Sequence, residues 1–205
     1  MSWKHLGAAI GTIFVLGHMT LGRCEATVGQ PAPDFSLPAT DGKIYALNQG
    51  KGHFVVLEWF NPQCPFIKKH YNAGNMQRLQ ATYTKKGVIW LSIDSSAKGK
   101  EGYMEMAEAQ ADRLDRHSHN TATLLDPSGD VGQLYHATST PHMFVIGPDG
   151  KLLYQGAIDD HPTADPADIP LSKNYVAKAL DEAMAGKPVT TPQTKPYGCF
   201  VKYAD

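Results

Sequence analysis

The sequence has only three cysteines among its 205 residues, and none of them follows Cys64 at the spacing of a C-x-x-C motif, because Ile67 occupies that position. The absence of this motif excludes a local dithiol redox site. Cys64 nevertheless follows an apolar segment, residues 53–60, and precedes Pro65, a residue favoured in the first turn of a helix. A lone cysteine at a predicted strand-to-helix junction raises the question of where its partner lies.

The sequence also lacks an excess of charge of either sign. Its 19 lysines and arginines nearly balance its 20 acidic residues, and the formal net charge is −1. This balance argues against nucleic acid as a partner, since nucleic-acid-binding domains are usually basic. No internal repeat of about 20 to 50 residues is visible, and the length of the chain predicts one domain of ordinary size.

One apolar run at the N-terminus stands apart from the rest of the chain. After the short basic start "MSWKH", the run "LGAAIGTIFVLGHMTLG" leads to Ala26, a small residue suited to cleavage. The pattern predicts a signal peptide over residues 1–26 and therefore an exported protein, periplasmic or extracellular. A retained membrane anchor is the alternative, for which the run is short and interrupted.

Cleavage after Ala26 would remove Cys24 and leave Cys64 and Cys199 in a compartment where disulfides persist. An even pair of cysteines in that setting favours a disulfide, permanent or cycling, over two idle thiols. Cys199 lies directly after Gly198 in a Pro- and Thr-rich tail, which we define as residues 187–205. The tail can therefore carry either a redox partner for Cys64 or a permanent disulfide that anchors it to the domain.

Between the signal peptide and the tail, residues 27–186 alternate strand-like and helix-like patterns. A hairpin is predicted around Asp41-Gly42, and the helix that begins at Pro65 is predicted to break at residues 72–75. A second hairpin surrounds residues 148–150, and the last helix is predicted to be capped by Ser172. Strand–helix–strand–helix followed by a hairpin and a helix predicts an α/β sandwich with a mixed sheet.

Four segments of this order resemble one family. The opening "VGQPAPDFSLPATDGKIYAL" resembles redoxin domains of the alkyl hydroperoxide reductase and thiol-specific antioxidant type, and "FVVLEWFNPQCPF" is similar to the active-site strand and turn of thioredoxin-like proteins. "TSTPHMFVIGPDGKLLYQGAIDD" resembles their cis-proline loop and hairpin, and "KPYGCFVKY" resembles the tail of a peroxiredoxin-like branch. The resemblance covers residues 28–203. It implies a thioredoxin-like three-layer α/β sandwich with a mixed central sheet, an N-terminal hairpin and an extended C-terminal tail.

The resemblance also implies a site around Cys64. Cys64 would be the nucleophile, since the start of a helix favours an anion and a thiolate is the reactive form. Lys68, Lys69 and His70 are expected to add positive potential there. Pro141 would be the cis-proline, in contact with the active cysteine.

The same resemblance assigns roles to further residues. Thr140, Pro141, Phe60 and Pro65 are the predicted substrate-binding residues, with the backbone of Thr140 pairing with a bound peptide. Glu58 would be a buried acid that relays a proton to or from a departing thiol, whereas an outward, solvated Glu58 is the alternative.

The sequence leaves three functions open. The first is a thiol–disulfide oxidoreductase that acts on protein or small-molecule thiols, with Cys64 and Cys199 as its cysteines. The second is a thiol peroxidase, although Asn61 occupies the position of the usual threonine and "HATSTP" lacks the usual arginine. The third is a non-catalytic binding or copper-handling module, since Cys, His and Met suit copper. No metal-ligand spacing supports a bound metal, and we predict no cofactor and no stable membrane insertion after cleavage.

Overall fold

The computed structural model describes residues 25–205, so nearly all of the predicted signal peptide lies outside the described residues. Of the segment 1–26, only Glu25 and Ala26 are included. Ala26 is buried and packs in a hydrophobic cluster of the domain, and Glu25 pairs with His136 at 3.2 Å. Within residues 25–205, no helix is long and apolar enough to cross a membrane.

The described chain forms nine strands and five α-helices. In chain order they are β1 (Ser36–Pro38), β2 (Ile44–Ala46), β3 (Val55–Trp59), α1 (Pro65–Asn72), α2 (Asn75–Thr84), β4 (Ile89–Asp94), α3 (Met106–Asp115), β5 (Ala122–Leu125), α4 (Asp130–Leu134), β6 (Ser139–Thr140), β7 (His142–Ile146), β8 (Leu152–Gly156), α5 (Tyr175–Met184) and β9 (Cys199–Phe200). Two short 3-10 helices, Leu47–Gly50 and Pro166–Leu171, complete the secondary structure.

A five-stranded mixed sheet lies at the centre, with the strand order β5-β4-β3-β7-β8. β3, β4 and β5 are parallel to one another, whereas β7 runs antiparallel to β3 and β8 antiparallel to β7. β1 and β2 form the predicted N-terminal hairpin. This arrangement confirms the α/β sandwich with a mixed central sheet.

β3 is buried along its whole length, because the sheet is covered on both faces. Alternate residues point to opposite faces of a strand, and the two hydrophobic clusters follow this rule. Val56 contributes to the cluster that contains Cys64 and the apolar faces of α1, α2 and α5, whereas Leu57 and Trp59 contribute to the cluster on the other face. β3 is the central strand of the sheet and passes through the core. Cys64 therefore lies just beyond the carboxyl end of this strand.

The helix boundaries agree with the predicted break and correct one predicted cap. α1 ends at Asn72 and α2 begins at Asn75 after Gly74, whose φ of 66° is left-handed. The prediction that Ser172 caps the last helix is wrong. Asn174 is its cap and accepts a hydrogen bond from the backbone of Ala177 at 2.8 Å, because Ser172 instead ends the preceding 3-10 helix.

The tail, residues 187–205, lies against the domain along several elements. Thr194 bonds to the backbone of Gln155 in β8 at 3.1 Å, β9 pairs with β6, and the backbone of Ala97 donates to Lys202 at 2.8 Å. Tyr203 donates its hydroxyl to Ala137 at 2.7 Å. The tail thus crosses the domain from β8 to the loop after β4 and passes beside α1.

Candidate active site

Cys64 lies at the residue before the first turn of α1, and its side chain is only 1% exposed. Its backbone N–H donates to Asn61 at 3.2 Å, and its Sγ donates to the carbonyl oxygen of Thr140 at 3.1 Å. Pro65 follows in the first helical turn and is exposed. The sequence therefore folds here as predicted: an apolar strand ends, and the chain turns into a helix with the cysteine at the junction.

Asn61 holds the turn that leads to Cys64. Its side-chain amide donates to Ser96 at 3.2 Å and to the carbonyl of Glu101 at 2.9 Å, while its oxygen accepts the backbone N–H of Gln63 at 2.8 Å. Asn61 is buried, and each polar atom of its side chain has a partner. The residue that stands in place of the peroxidase threonine therefore supports the turn and makes no hydrogen bond to the Cys64 sulfur.

Arg116 supports the active-site turn from outside it, a role that the sequence did not indicate. It donates to the carbonyl of Pro62 at 2.9 Å and bonds both carboxylate oxygens of Asp112, at 2.7 and 2.8 Å. Its guanidinium lies over the rings of Phe60 and Tyr71, 5.4 and 5.6 Å from their centroids. No motif marks this role, since Arg116 follows α3, far from the cysteine in sequence.

Phe60 packs in the core and is 4% exposed. Its ring meets Tyr71 edge-on, with the centroids 5.6 Å apart. Phe60 therefore supports the active-site turn from below, and its contact with a substrate stays a prediction. Pro65 has the exposed position that a substrate contact requires.

The Thr140–Pro141 peptide bond is cis, which confirms the predicted cis-proline. Both residues are buried, and Thr140 faces Cys64 through its carbonyl oxygen. The backbone of β6, predicted to pair with a bound peptide, pairs here with the tail. Thr140 is opposite Cys199, Ser139 is opposite Phe200, and the strands are antiparallel.

Cys199 thus reaches Cys64, and both are free thiols in this structure. Cys199 is half-buried. Burial raises the pKa of the Cys199 thiol from 9.0 to about 12, and the neighbouring Cys64 side chain adds to this rise. Cys199 is therefore protonated near pH 7. The disulfide between them stays a prediction.

Gly198 allows the tail to approach the cis-proline loop. Its φ of +134° is unfavourable for residues with a side chain. A Cβ at this position would lie 2.8 Å from the carbonyl carbon of Thr140, and closer still to its oxygen. The close pairing of the tail with Thr140 therefore depends on a glycine directly before Cys199.

Tyr197, the residue before Gly198, also holds the tail against the domain. Its hydroxyl donates to the buried carboxylate of Asp159 at 2.5 Å, and its ring meets Phe66 of α1 edge-on at 5.7 Å. Asp159 also accepts the backbone N–H of His161 at 3.0 Å. Asp159 therefore lies under the tail and holds it through Tyr197.

Glu58 is fully buried, which excludes the outward, solvated alternative. One carboxylate oxygen accepts the hydroxyl of Tyr71 at 2.9 Å. The other accepts Gln80 at 3.2 Å, the indole of Trp90 at 2.8 Å and Ser92 at 3.0 Å. Burial raises the pKa of Glu58, and the donated hydrogen bonds oppose that rise.

Within residues 25–205, no hydrogen bond joins Glu58 to Cys64 directly. Tyr71 lies two turns after Cys64 on α1 and donates its hydroxyl to Glu58. Burial raises the pKa of Tyr71 well above its ordinary value. A proton relay by Glu58 therefore stays a prediction.

The charges around Cys64 differ from the expectation in one respect. Lys68 is exposed, and Lys69 donates its amine to the carbonyl of His161 at 3.1 Å. Burial lowers the pKa of His70 from 6.5 to about 4, although the carboxylate of Asp159, 3.8 Å away, opposes this. His70 is consequently neutral near pH 7, and the expectation that it adds positive potential is wrong.

No group of three or more His, Cys, Asp or Glu side chains within residues 25–205 is arranged to hold a metal ion. The ring of His142, which follows Pro141, is buried and accepts the backbone N–H of Thr138 at 3.3 Å. Burial lowers the pKa of His142 from 6.5 to about 3. His142 therefore adds no positive charge beside the cis-proline near pH 7.

Proteins of similar sequence and of similar fold are known. Thiol-disulfide oxidoreductase ResA of Bacillus thuringiensis subsp. konkukian (strain 97-27) is 24% identical over 150 residues, which cover 73% of this chain and 80% of the relative. The crystal structure of an uncharacterized conserved protein from Geobacillus kaustophilus matches with a TM-score of 0.74 at 26% identity, covering 87% of this chain and 93% of that one.

A hypothetical protein from Sinorhizobium meliloti 1021 has the same fold, with a TM-score of 0.73 at 24% identity over 88% of this chain and 97% of that one. The thioredoxin-like arrangement therefore extends over most of the described chain. Residues 28–155 match the AhpC/TSA family, the redoxin family that the opening segment resembles. The chain belongs to the AhpC/TSA family.

Proposed function

We propose that the protein is an exported thiol–disulfide oxidoreductase, with Cys64 as the attacking thiolate and Cys199 as the resolving partner. Its substrates are thiols and disulfides of proteins or small molecules. One observation carries the proposal: the tail brings the thiol of Cys199 to the Cys64 side chain at the start of α1, beside Thr140 and the cis-proline. The similarity to ResA supports the same reaction class.

The reaction follows from the two thiols. The Cys64 thiolate attacks one sulfur of a substrate disulfide, that S–S bond breaks, and a mixed disulfide forms while the departing thiolate takes up a proton. Cys199 then loses its proton and attacks the Cys64 sulfur, which releases the second substrate thiol and leaves a Cys64–Cys199 disulfide. Two electrons have passed from the enzyme to the substrate, and the reverse direction uses the same intermediate.

The positions of the two thiols support these roles. Cys64 has the helix start and the backbone donors of the first turn beside it, which favour the thiolate, the form that attacks a disulfide. Cys199 lies on a strand, not at a helix start, and burial raises the pKa of its thiol. Glu58 is the acid from which we expect the proton of the departing thiol.

The environment of Asn61 favours this function over peroxide reduction. A peroxidase needs polar donors that face its cysteine, and Asn61 directs its amide to Ser96 and Glu101 instead. The exported location rests on the N-terminal pattern of residues 1–26. An oxidising compartment is where a cycling or permanent Cys64–Cys199 disulfide would persist.

Titration of the reduced protein with 5,5′-dithiobis(2-nitrobenzoate) tests the proposal. The wild-type protein should release two aromatic thiolates and finish with an intramolecular Cys64–Cys199 disulfide, identified by peptide mass mapping. The Cys199→Ser variant should release one and stop at a mixed disulfide on Cys64. Exchange in Cys64→Ser that is as fast as in the wild-type protein would refute the assignment of the nucleophile.

Rapid mixing with hydrogen peroxide provides the discriminating experiment. We expect the peroxide to oxidise Cys64 far more slowly than a disulfide does at equal concentration. Faster turnover with peroxide would favour the thiol peroxidase. Titration with Cu(I) addresses the third function: equal affinity of the wild-type protein and Cys64→Ser would exclude Cys64 as a copper ligand.

A further inference from the structure

The segment of the tail at the site has the form of a bound peptide. Residues 199–200 are extended, and as β9 they add to β6 as an antiparallel strand. The backbone N–H of Val201 continues this pairing by donating to Thr138 at 3.2 Å. Any other chain segment that pairs with Thr140 must occupy the space that the tail fills. We define this space beside β6 as the groove. The tail residues that occupy it therefore indicate which side chains the groove accepts.

The position before the cysteine is the most restricted. Gly198 has a φ of +134°, and a Cβ there would collide with the carbonyl group of Thr140. The colliding group is backbone, and the same Thr140 oxygen accepts from Cys64 at 3.1 Å. It cannot move aside without disturbing the position of Cys64, so a side chain at this position is excluded rather than accommodated.

The positions on either side behave differently. Two residues before Cys199, Tyr197 reaches a buried acceptor, Asp159, and packs on Phe66. Directly after Cys199, Phe200 is 80% exposed, so the groove places little demand on that residue. The groove thus selects an aromatic hydroxyl, then glycine, then cysteine, and tolerates any side chain at the position after the cysteine.

We propose that the protein substrates of this site are extended segments in which glycine directly precedes the reactive cysteine, and that the tail competes with them for one groove. This inference rests on the proposed function and names its substrate class. A bound segment displaces residues 197–200 and exposes Cys64, which is 1% exposed with the tail in place. When the tail returns, Cys199 attacks the mixed disulfide and expels the product from the groove it reoccupies.

The atoms balance in both halves of this exchange. Cys64 attacks the cysteine sulfur of the bound segment, the segment's disulfide breaks, and its former partner leaves as a thiol. Cys199 then forms the S–S bond to Cys64 while the segment leaves as its cysteine thiol. The segment's disulfide is reduced by two electrons, and the Cys64–Cys199 pair is oxidised by two.

Two peptides that differ by one methyl group test the inference. The probes are Ac-Tyr-Gly-Cys-Phe-NH2 and Ac-Tyr-Ala-Cys-Phe-NH2, each joined by a disulfide to 2-nitro-5-thiobenzoate, whose release as a coloured thiolate reports attack on the peptide sulfur. The protein is the full chain carrying Gly198→Ala and Cys199→Ser, in which the tail cannot seat and the mixed disulfide is the end product. We expect the glycine peptide to react about tenfold faster or more, because only it fits beside Thr140.

The outcomes separate the inference from the function on which it rests. Equal rates for the two peptides, whether fast or absent, would overturn the glycine requirement. Loss of reaction with 5,5′-dithiobis(2-nitrobenzoate) as well would refute the proposed function. A third probe, Ac-Tyr-Gly-Cys-Ala-NH2, should react as fast as the phenylalanine peptide, and a large loss would contradict the tolerance at the last position.

A second measurement uses the tail itself. In the otherwise unaltered chain, Gly198→Ala should slow closure of the Cys64–Cys199 disulfide by about tenfold or more. Phe200→Ala, which changes the exposed neighbour on the other side of Cys199, is the matched control and should leave closure unchanged. Equal rates of closure in the two variants would overturn the inference even if the peptides could not be compared.

Discussion

Cys64 and Cys199 lie side by side, yet the two parts of the chain that carry them are held differently. Cys64 follows β3, which is buried on both faces, and precedes α1, whose Ile67 and Tyr71 pack in the core. Cys199 lies on a two-residue strand in a tail whose contacts are a few hydrogen bonds and partly buried side chains.

The tail also packs against the domain at glycine positions, where the missing side chains leave space for it. Gly129 and Gly132 leave room for the ring of Tyr203, since a Cβ at either would lie 2.6 or 2.7 Å from a ring carbon. Gly156 leaves comparable room for the backbone of Thr194. We therefore expect one cysteine to be fixed by the fold and the other to be held by contacts that open while the fold stays intact.

The free energy of unfolding should fall most when a core side chain of α1, on the Cys64 side, is truncated. Ile67→Ala removes a fully buried side chain from α1 and should lower the free energy of unfolding by about 2–5 kcal/mol. Val201→Ala, the corresponding truncation in the partly buried tail, should lower it by about 1 kcal/mol. Urea denaturation of the reduced proteins measures both. Equal losses would mean that the tail unfolds together with the core.

This difference in burial also explains what the sequence could and could not predict. The strand–cysteine–helix junction and the cis-proline were predictable, because they depend on local apolar patterns and on short motifs. The path of the tail was not, because it is set by glycine gaps and by Tyr197–Asp159, which are distant in sequence. The neutral state of His70 was equally hidden, since burial depends on how the elements pack, whereas the family resemblance already implied a buried Glu58.

The second prediction concerns the buried carboxylate beneath the fixed side. Glu58→Gln places an amide donor among four groups that donate to Glu58. We expect a loss of about 1–3 kcal/mol in the free energy of unfolding, and a changed pH profile of disulfide exchange if Glu58 relays the proton. Glu105→Gln, on the surface, is the control. An unchanged pH profile would leave Glu58 with a structural role only.

The third prediction concerns acid stability, which the buried side also determines. Burial lowers the pKa of His142 from 6.5 to about 3, so below pH 6.5 the unfolded chain takes up a proton that the folded protein does not. The free energy of unfolding should therefore fall as the pH falls from 6.5 towards 3, by at most about 1.4 kcal/mol per pH unit for this one group. His142→Gln should reduce that slope.

Asp94 provides the paired control because its effect has the opposite sign. Burial raises its pKa from 3.8 to about 6, so the folded protein binds a proton that the unfolded chain lacks between those values. Asp94→Asn should therefore make the fall in stability on acidification steeper. Urea midpoints from pH 4 to 7 measure both variants, and an unchanged slope in His142→Gln would contradict the burial argument.

The last prediction concerns single hydrogen bonds of the tail. Tyr197→Phe removes the hydrogen bond to the Asp159 carboxylate, and Tyr203→Phe removes one to the neutral carbonyl of Ala137. A bond to a charged group contributes about 1.5–3 kcal/mol and a neutral one about 1 kcal/mol.

In the Cys199→Ser background, the rate at which 5,5′-dithiobis(2-nitrobenzoate) reacts with Cys64 reports how often the tail opens. We expect Tyr197→Phe to raise that rate by more than about tenfold and Tyr203→Phe by about fivefold. A larger rise in Tyr203→Phe would move the principal anchor of the tail away from Asp159, and no rise in either variant would mean that Cys64 is reached without opening the tail.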